Sequence, residues 1–133
     1  MAKFPSALWA SEFQAAVNGN EEYAEAARAW EGDVVLRVLP EDPGTSPAGI
    51  HLDLYHGACR ATEFLPDARD PASEFVFDAS LATWREILER RLDPVQAVLA
   101  GRVKVRGNLA KAMRFTRATG RLIETASTIP SEF

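Results

Sequence analysis

The apolar period changes twice along the chain, and those changes decide which layers it can form. Leu8, Trp9, Phe13, Ala16, Val17, Tyr23, Ala27 and Trp30 recur at helical spacing. Asn18-Gly19-Asn20 interrupts the stripe, so two helical pieces are expected between Ser6 and Trp30. Gly32 and Asp33 stop that pattern, and from Val34 the apolar residues fall on alternate positions. Val34, Leu36 and Val38 share a face away from Arg37, and Ile50, Leu52 and Leu54 oppose His51, Asp53 and Tyr55. Cys59 to Phe64 and Phe75 to Phe77 add two further runs, which together predict an antiparallel meander of four strands. Between the first two runs, Pro40 to Pro47 holds three prolines and a glycine, which deny ladder hydrogen bonds and predict an exposed loop.

The helical period returns at Ser80. Ser80 is placed to cap a helix whose apolar positions are Leu81, Trp84, Ile87 and Leu88, with Arg85, Glu86, Glu89 and Arg90 facing out. Asp93-Pro94 restarts a second helix, the aspartate as cap and the proline where its missing N–H costs nothing; Val95, Val98 and Leu99 form its apolar side. Gly101 ends it. Arg102 to Arg106 then alternates charge with valine over strand length, and Gly107-Asn108 turns the chain into a last helix from about Leu109. That helix carries Leu109, Ala112, Met113, Thr116, Gly120 and Ile123 on one face. The order of helix, four strands, two short helices, strand and helix predicts a single α+β domain over residues 1–133 with helices on one sheet face.

Composition narrows the function. Hydrophobic residues make up 47% and charged residues 26%, a globular balance that supports a real core. No uncharged apolar run approaches the roughly 18–20 residues of a membrane-spanning helix. The lone cysteine, Cys59, and the lack of a secretory signal favour a reducing, cytoplasmic setting. Residues 1–80 carry 5 basic and 14 acidic side chains, and residues 81–133 carry 10 basic and 5 acidic. The basic half lacks zinc-ligand spacing, an RNP-like strand with stacking aromatics, and a glycine-rich phosphate cradle, so no nucleic-acid partner is expected.

Catalytic signals are equally sparse. His51, Asp53 and His56 are the one cluster with metal-ligand side chains, but strand alternation turns residue 56 away from 51 and 53, so no metal and no cofactor are expected. Cys59 sits in no catalytic motif and reads as a structural thiol. The serines lack a nucleophile elbow. What stands out instead is apolar excess after residue 80, spread over three helices and one strand, which reads first as a solid core, with a dry cavity as the alternative that apolar pattern alone does not distinguish.

The segment from Trp84 to Asn108 resembles the sterol carrier protein 2 sterol-binding domain family. A Trp opening a helix, the Asp93-Pro94 pair with a small apolar helix, and the strand Gly101-x-Val103-x-Val105-x-Gly107 followed by Asn108 and an amphipathic helix stand in that family's order. The upstream layout agrees, so the resemblance spans about residues 6–123. It implies a five-stranded mixed, mainly antiparallel sheet with helices covering one face and an apolar tunnel between them. It further implies non-catalytic carriage of fatty acids, fatty acyl-CoA, phospholipid or sterol-like molecules. Presentation of a lipid-like intermediate to a biosynthetic enzyme is the alternative. Under it, Trp84, Leu88, Val98, Leu99, Val103, Val105, Leu109 and Met113 are expected to meet the ligand. Arg102, Lys104, Arg106, Lys111, Arg114, Arg117 and Arg121 read first as a solvated face; the sharper reading has them meet the head groups of an anionic membrane surface, transiently, or a CoA phosphate during loading.

Overall fold

The computed structural model describes residues 1–133. A short strand β1 (Ala2–Lys3) leads into helices α1 (Ala7–Asn18) and α2 (Glu21–Ala26), then strands β2 (Glu31–Leu39), β3 (Ala48–Tyr55), β4 (Ala58–Leu65) and β5 (Phe75–Ser80). Helices α3 (Leu81–Leu88) and α4 (Pro94–Leu99), strand β6 (Lys104–Arg106), helices α5 (Leu109–Arg114) and α6 (Thr116–Ala126), and strand β7 (Ser131–Glu132) complete the chain. β1 and β7 pair in parallel and tie the two ends together.

The local signals act as their chemistry requires. Ser6, Asn20, Ser80, Asp93 and Asn108 each accept a backbone N–H with the side chain and start α1 to α5 in turn, satisfying donors that a helix start leaves open. The break at Asn18-Gly19-Asn20 separates α1 from α2 as the pattern predicts. The helical pattern does not reach Trp30, however: α2 ends at Ala26, and the Trp30 indole turns back to donate to the Gly32 carbonyl at 2.9 Å.

The main sheet has five strands in the order β4-β3-β2-β5-β6. β2, β3 and β4 form the antiparallel meander, and β6 lies antiparallel to β5. The expected fourth meander strand is corrected here: β5 crosses the sheet and pairs in parallel with β2. Alternation specifies a face of a strand but neither its neighbour nor its direction. Phe75 to Ala79 are all buried, as befits a strand inside the sheet. The crossing chain packs on the sheet face away from the helices, where Ala68 donates to the Pro47 carbonyl at 2.7 Å. On that same face Arg37 holds Asp78 by two hydrogen bonds of 2.6 and 2.8 Å.

The opposite face carries Val34, Leu36, Ile50, Leu52, Phe75 and Phe77, and the helices lie on it. An aromatic cluster fills one end of this layer: Phe4 meets Trp9 at 4.7 Å between centroids, and Trp9 meets Phe13 at 5.0 Å. Trp84 joins them, with its indole N–H on the Arg37 carbonyl at 3.0 Å. The last helix also departs from expectation by breaking in two. Phe115 leaves helical geometry and its ring packs edge-on against Trp30 at 5.1 Å, drawing that residue to the core while α5 stands out.

Gly107 fixes where α5 begins. Its φ is +132°, and a Cβ there would lie 2.5 Å from the Glu74 carbonyl oxygen and 2.7 Å from the Phe75 ring. Gly107→Ala is therefore expected to lower the unfolding free energy by roughly 2 kcal/mol or more, as read from urea denaturation.

Candidate functional site

α4, α5 and α6 border an apolar cavity of about 330 Å3 against β5 and β6. Its construction follows from two periodicities meeting. The face of α5 and α6 that repeats at three and four residues, Leu109, Ala112, Met113, Thr116, Gly120 and Ile123, turns wholly into this wall, and Thr119 joins it. From the sheet come Phe77 and Val105, which are register partners across β5 and β6 and so project side by side on one face. Pro94, Val95, Val98 and Leu99 close the third side from α4. The wall contains no ionisable side chain.

The cavity opens to solvent through apolar residues. Leu99 and Met113 are each 75% exposed and Leu109 57%, while α5 contains no buried residue at all. Elsewhere the helix-sheet layer is filled. The space among Phe4, Trp9, Trp84 and Leu88 amounts to about 10 Å3, and that among Tyr23, Trp30 and Phe75 to about 20 Å3, room for no more than a water-sized probe. The larger hollow thus lies at one end of the layer.

Of the residues expected to meet a ligand, Val98, Leu99, Val105, Leu109 and Met113 come together in the wall. Trp84, Leu88 and Val103 lie elsewhere. Trp84 and Leu88 are buried beside Phe4 and Trp9, where the indole is anchored to β2, and Val103 is buried in the turn that brings its N–H to the Ala97 carbonyl at 3.2 Å. Helical periodicity marks Trp84 and Leu88, and strand alternation marks Val103, as inward-facing, and burial alone does not separate the filled end of the layer from the hollow one. Thr119, Phe77, Pro94 and Val95 also form wall without having been singled out as contacts. The signal for Phe77 was its place opposite Val105, which only strand pairing reveals.

The titratable candidates lie away from this wall. His51 pairs with Asp33 at 2.8 Å and His56 with Glu31 at 2.7 Å. Burial pushes the Asp33 carboxyl up, but the Glu74 N–H and His51 outweigh it and hold the group below the ordinary carboxylate value. Residues 51, 53 and 56 gather no metal-binding group. Cys59 is buried where α1 meets β4: its carbonyl accepts from Asn18 at 2.9 Å, and the Asn18 side chain accepts its N–H at 2.8 Å. Burial pushes its thiol up to about 11. No helix is long and apolar enough to cross a membrane.

An α+β layer with an open apolar cavity and a wall free of ionisable groups is the kind of site that takes an apolar ligand, as in lipid-binding and lipid-transfer domains. Comparison with known proteins agrees. Residues 12–119 match the model of the SCP-2 sterol transfer family, and the chain belongs to that family. A crystal structure of sterol carrier protein 2 is 34% identical, with a TM-score of 0.88 over 96% of this chain and 99% of the other. The solution structure of a conserved hypothetical protein from Thermus thermophilus, described as possibly a sterol carrier protein, is 32% identical, with a TM-score of 0.85 over 99% of this chain and 93% of the other. A UbiJ-SCP2 ubiquinone synthesis protein shares the fold at 16% identity, with a TM-score of 0.54 over 98% of this chain and 99% of the other. A search of curated proteins found no match.

Two outcomes follow from these placements. Leu88→Ala is expected to cost roughly 2–5 kcal/mol of stability in urea denaturation, as a deletion in a filled core, whereas exposed Met113→Ala is expected to change it by less than about 0.5 kcal/mol. Because the folded thiol of Cys59 stays protonated above its ordinary 9.0, iodoacetamide should leave it unmodified in the native protein near neutral pH. The unfolded chain ionises first, so the thiol's contribution to stability is complete below pH 9 and is lost as pH rises through about 11.

Proposed function

We propose that this protein is a non-catalytic cytoplasmic carrier that holds the acyl or isoprenoid-like chain of a lipid in the cavity under α5 and leaves the head group at the mouth. The cavity of about 330 Å3, walled without a charged side chain, carries this reading. That volume sits at the small end of ligand pockets, which supports a chain or part of one rather than a whole bulky lipid. Each methylene moved from water to an apolar wall contributes about 0.8 kcal/mol. A bilayer offers the same chain a similar environment, so a carrier must match the membrane rather than exceed it. Undirected apolar contact does this, and it makes head-group preference weak.

Thr116 and Thr119 are the hydroxyl-bearing residues of the wall. The Thr116 hydroxyl donates to the Met113 carbonyl at 2.7 Å, and neither residue stands beside a base in the wall. These surroundings support binding over turnover. Presentation of the lipid to an enzyme would use the same cavity and would differ by a stable protein partner, which a pull-down detects.

Gly120 gives the sharpest test. It faces the cavity from inside α6, and a Cβ built there meets nothing within 4 Å. Gly120→Leu should therefore project into the hollow while improving helix propensity by roughly 0.5–1 kcal/mol. The expected result is at least about tenfold weaker uptake of a fluorescent fatty acid, matching two displaced methylenes, with thermal stability unchanged or raised. Undiminished uptake would reject the cavity as the ligand site. Native mass spectrometry of the protein from its own host, followed by solvent extraction, identifies the lipid carried.

A further inference from the structure

α5 borders the cavity from the solvent side, yet it buries none of its residues, so apolar packing does little to hold it there. Lys111 supplies the missing attachment. Its side chain is only 21% exposed, where a lysine usually extends into solvent, and it leaves α5 on the flank away from Leu109. The ammonium donates to the Glu31 carbonyl and to the Glu74 carboxylate, the latter at 2.8 Å. It stands 5.0 Å from the centre of the Trp30 ring and 5.9 Å from that of Phe75. No other residue of α5 makes an ion pair.

The acceptors are fixed independently of Lys111. The Glu74 N–H donates to the Asp33 carboxylate at 2.8 Å, and the Glu74 carbonyl oxygen packs against the backbone of Gly107. Gly32 leaves the room that the pair needs: a Cβ there would run into the Glu74 carboxylate and stand 3.4 Å from the Lys111 ammonium nitrogen. Fully exposed ion pairs contribute little, because water screens them. Around this ammonium two aromatic faces and a backbone carbonyl stand where water would, and a charge-assisted contact is stronger in such surroundings. Phe115, which ends α5, packs on the same Trp30, so the middle and the end of the helix share one anchor.

We propose that Lys111 is the positioning residue that latches α5 over the cavity, and that release of its contacts with Glu31, Glu74 and Trp30 is the opening through which a ligand enters and leaves. What passes through rests on the carrier reading, whereas the latch is a property of the empty chain. Its consequence is kinetic. The free and the loaded protein share the closed arrangement, so a weaker latch raises the open population of both alike; entry and exit speed up together and affinity is kept. A lysine that touched the ligand would instead hold it in place, and its loss would lower affinity through faster exit alone.

Stopped-flow uptake and release of a neutral fluorescent fatty alcohol by the full chain tests this, since that probe carries no charge for Lys111 to meet. Lys111→Met keeps the stem against the rings and removes the charge and its hydrogen bonds; both rates are expected to rise about tenfold, with Kd held within about twofold. Glu74→Gln should act in the same direction, and adding it to Lys111→Met should change nothing further, because both remove one contact. Lys111→Arg should return the rates to near those of the wild type. Arg121→Gln, which breaks the ion pairs of α6 with Glu22 and Glu124, should leave both rates unchanged. Hydrogen exchange without ligand gives a second reading: the α5 amides of Lys111→Met should exchange about tenfold faster, with those of α6 unaltered. Unchanged rates, a loss of affinity without faster entry, or α5 protection equal to that of the wild type would overturn the proposal. If the wild-type chain takes up no fatty alcohol while α5 loses protection as expected, the carrier reading is rejected and the latch is supported.

Discussion

Everything else in this molecule depends on how one end of the helix-sheet layer is filled. Trp84 rests on β2 through a hydrogen bond from its indole, and Phe4, Trp9 and Phe13 pack beside it until only about 10 Å3 is left among them. Side chains of this size set the spacing between α1, α3, α6 and the sheet. Once that spacing is set, the small residues in the first half of α6 fall short of the sheet: Gly120 has no side chain, and Thr116 and Thr119 are short. Close packing at one end and a hollow at the other are thus two results of the same arrangement, since a void persists only where neighbours are held away from it.

The cavity also depends on a chain break that looks minor. Phe115 turns inward to Trp30 and ends α5, so α5 is not carried down onto the sheet with α6. Its apolar side chains then border the hollow from the solvent side. Gly107 performs the matching task at the other end of α5, because its backbone passes too close to Glu74 and Phe75 for any side chain. α5 is thus a short helix held at both ends, with no buried residue between them.

The opposite sheet face has a different task. There the crossing chain between β4 and β5, the paired Arg37 and Asp78, and the pairs of His51 and His56 with carboxylates make a polar, tied surface. These polar groups hold strands and loop together. They lie on the face opposite the cavity, whose wall carries no ionisable side chain.

Read alone, the sequence determined the order of the helical segments and main-sheet strands, most helix starts, the α+β class and the apolar face of the last helix, but not the paired terminal strands β1 and β7. These are local properties, set by period, capping side chains and glycine or proline geometry within a few residues of each other. Tertiary structure decided that β5 runs parallel to β2, that the last helix breaks at Phe115, and that Trp84, Leu88 and Val103 are packed while Val98, Leu99, Val105, Leu109 and Met113 border empty space. The two groups are alike in hydrophobicity and spacing. What separates them is the volume of the side chains standing opposite, and that is a property of residues far apart in the chain, brought face to face only when the sheet is assembled.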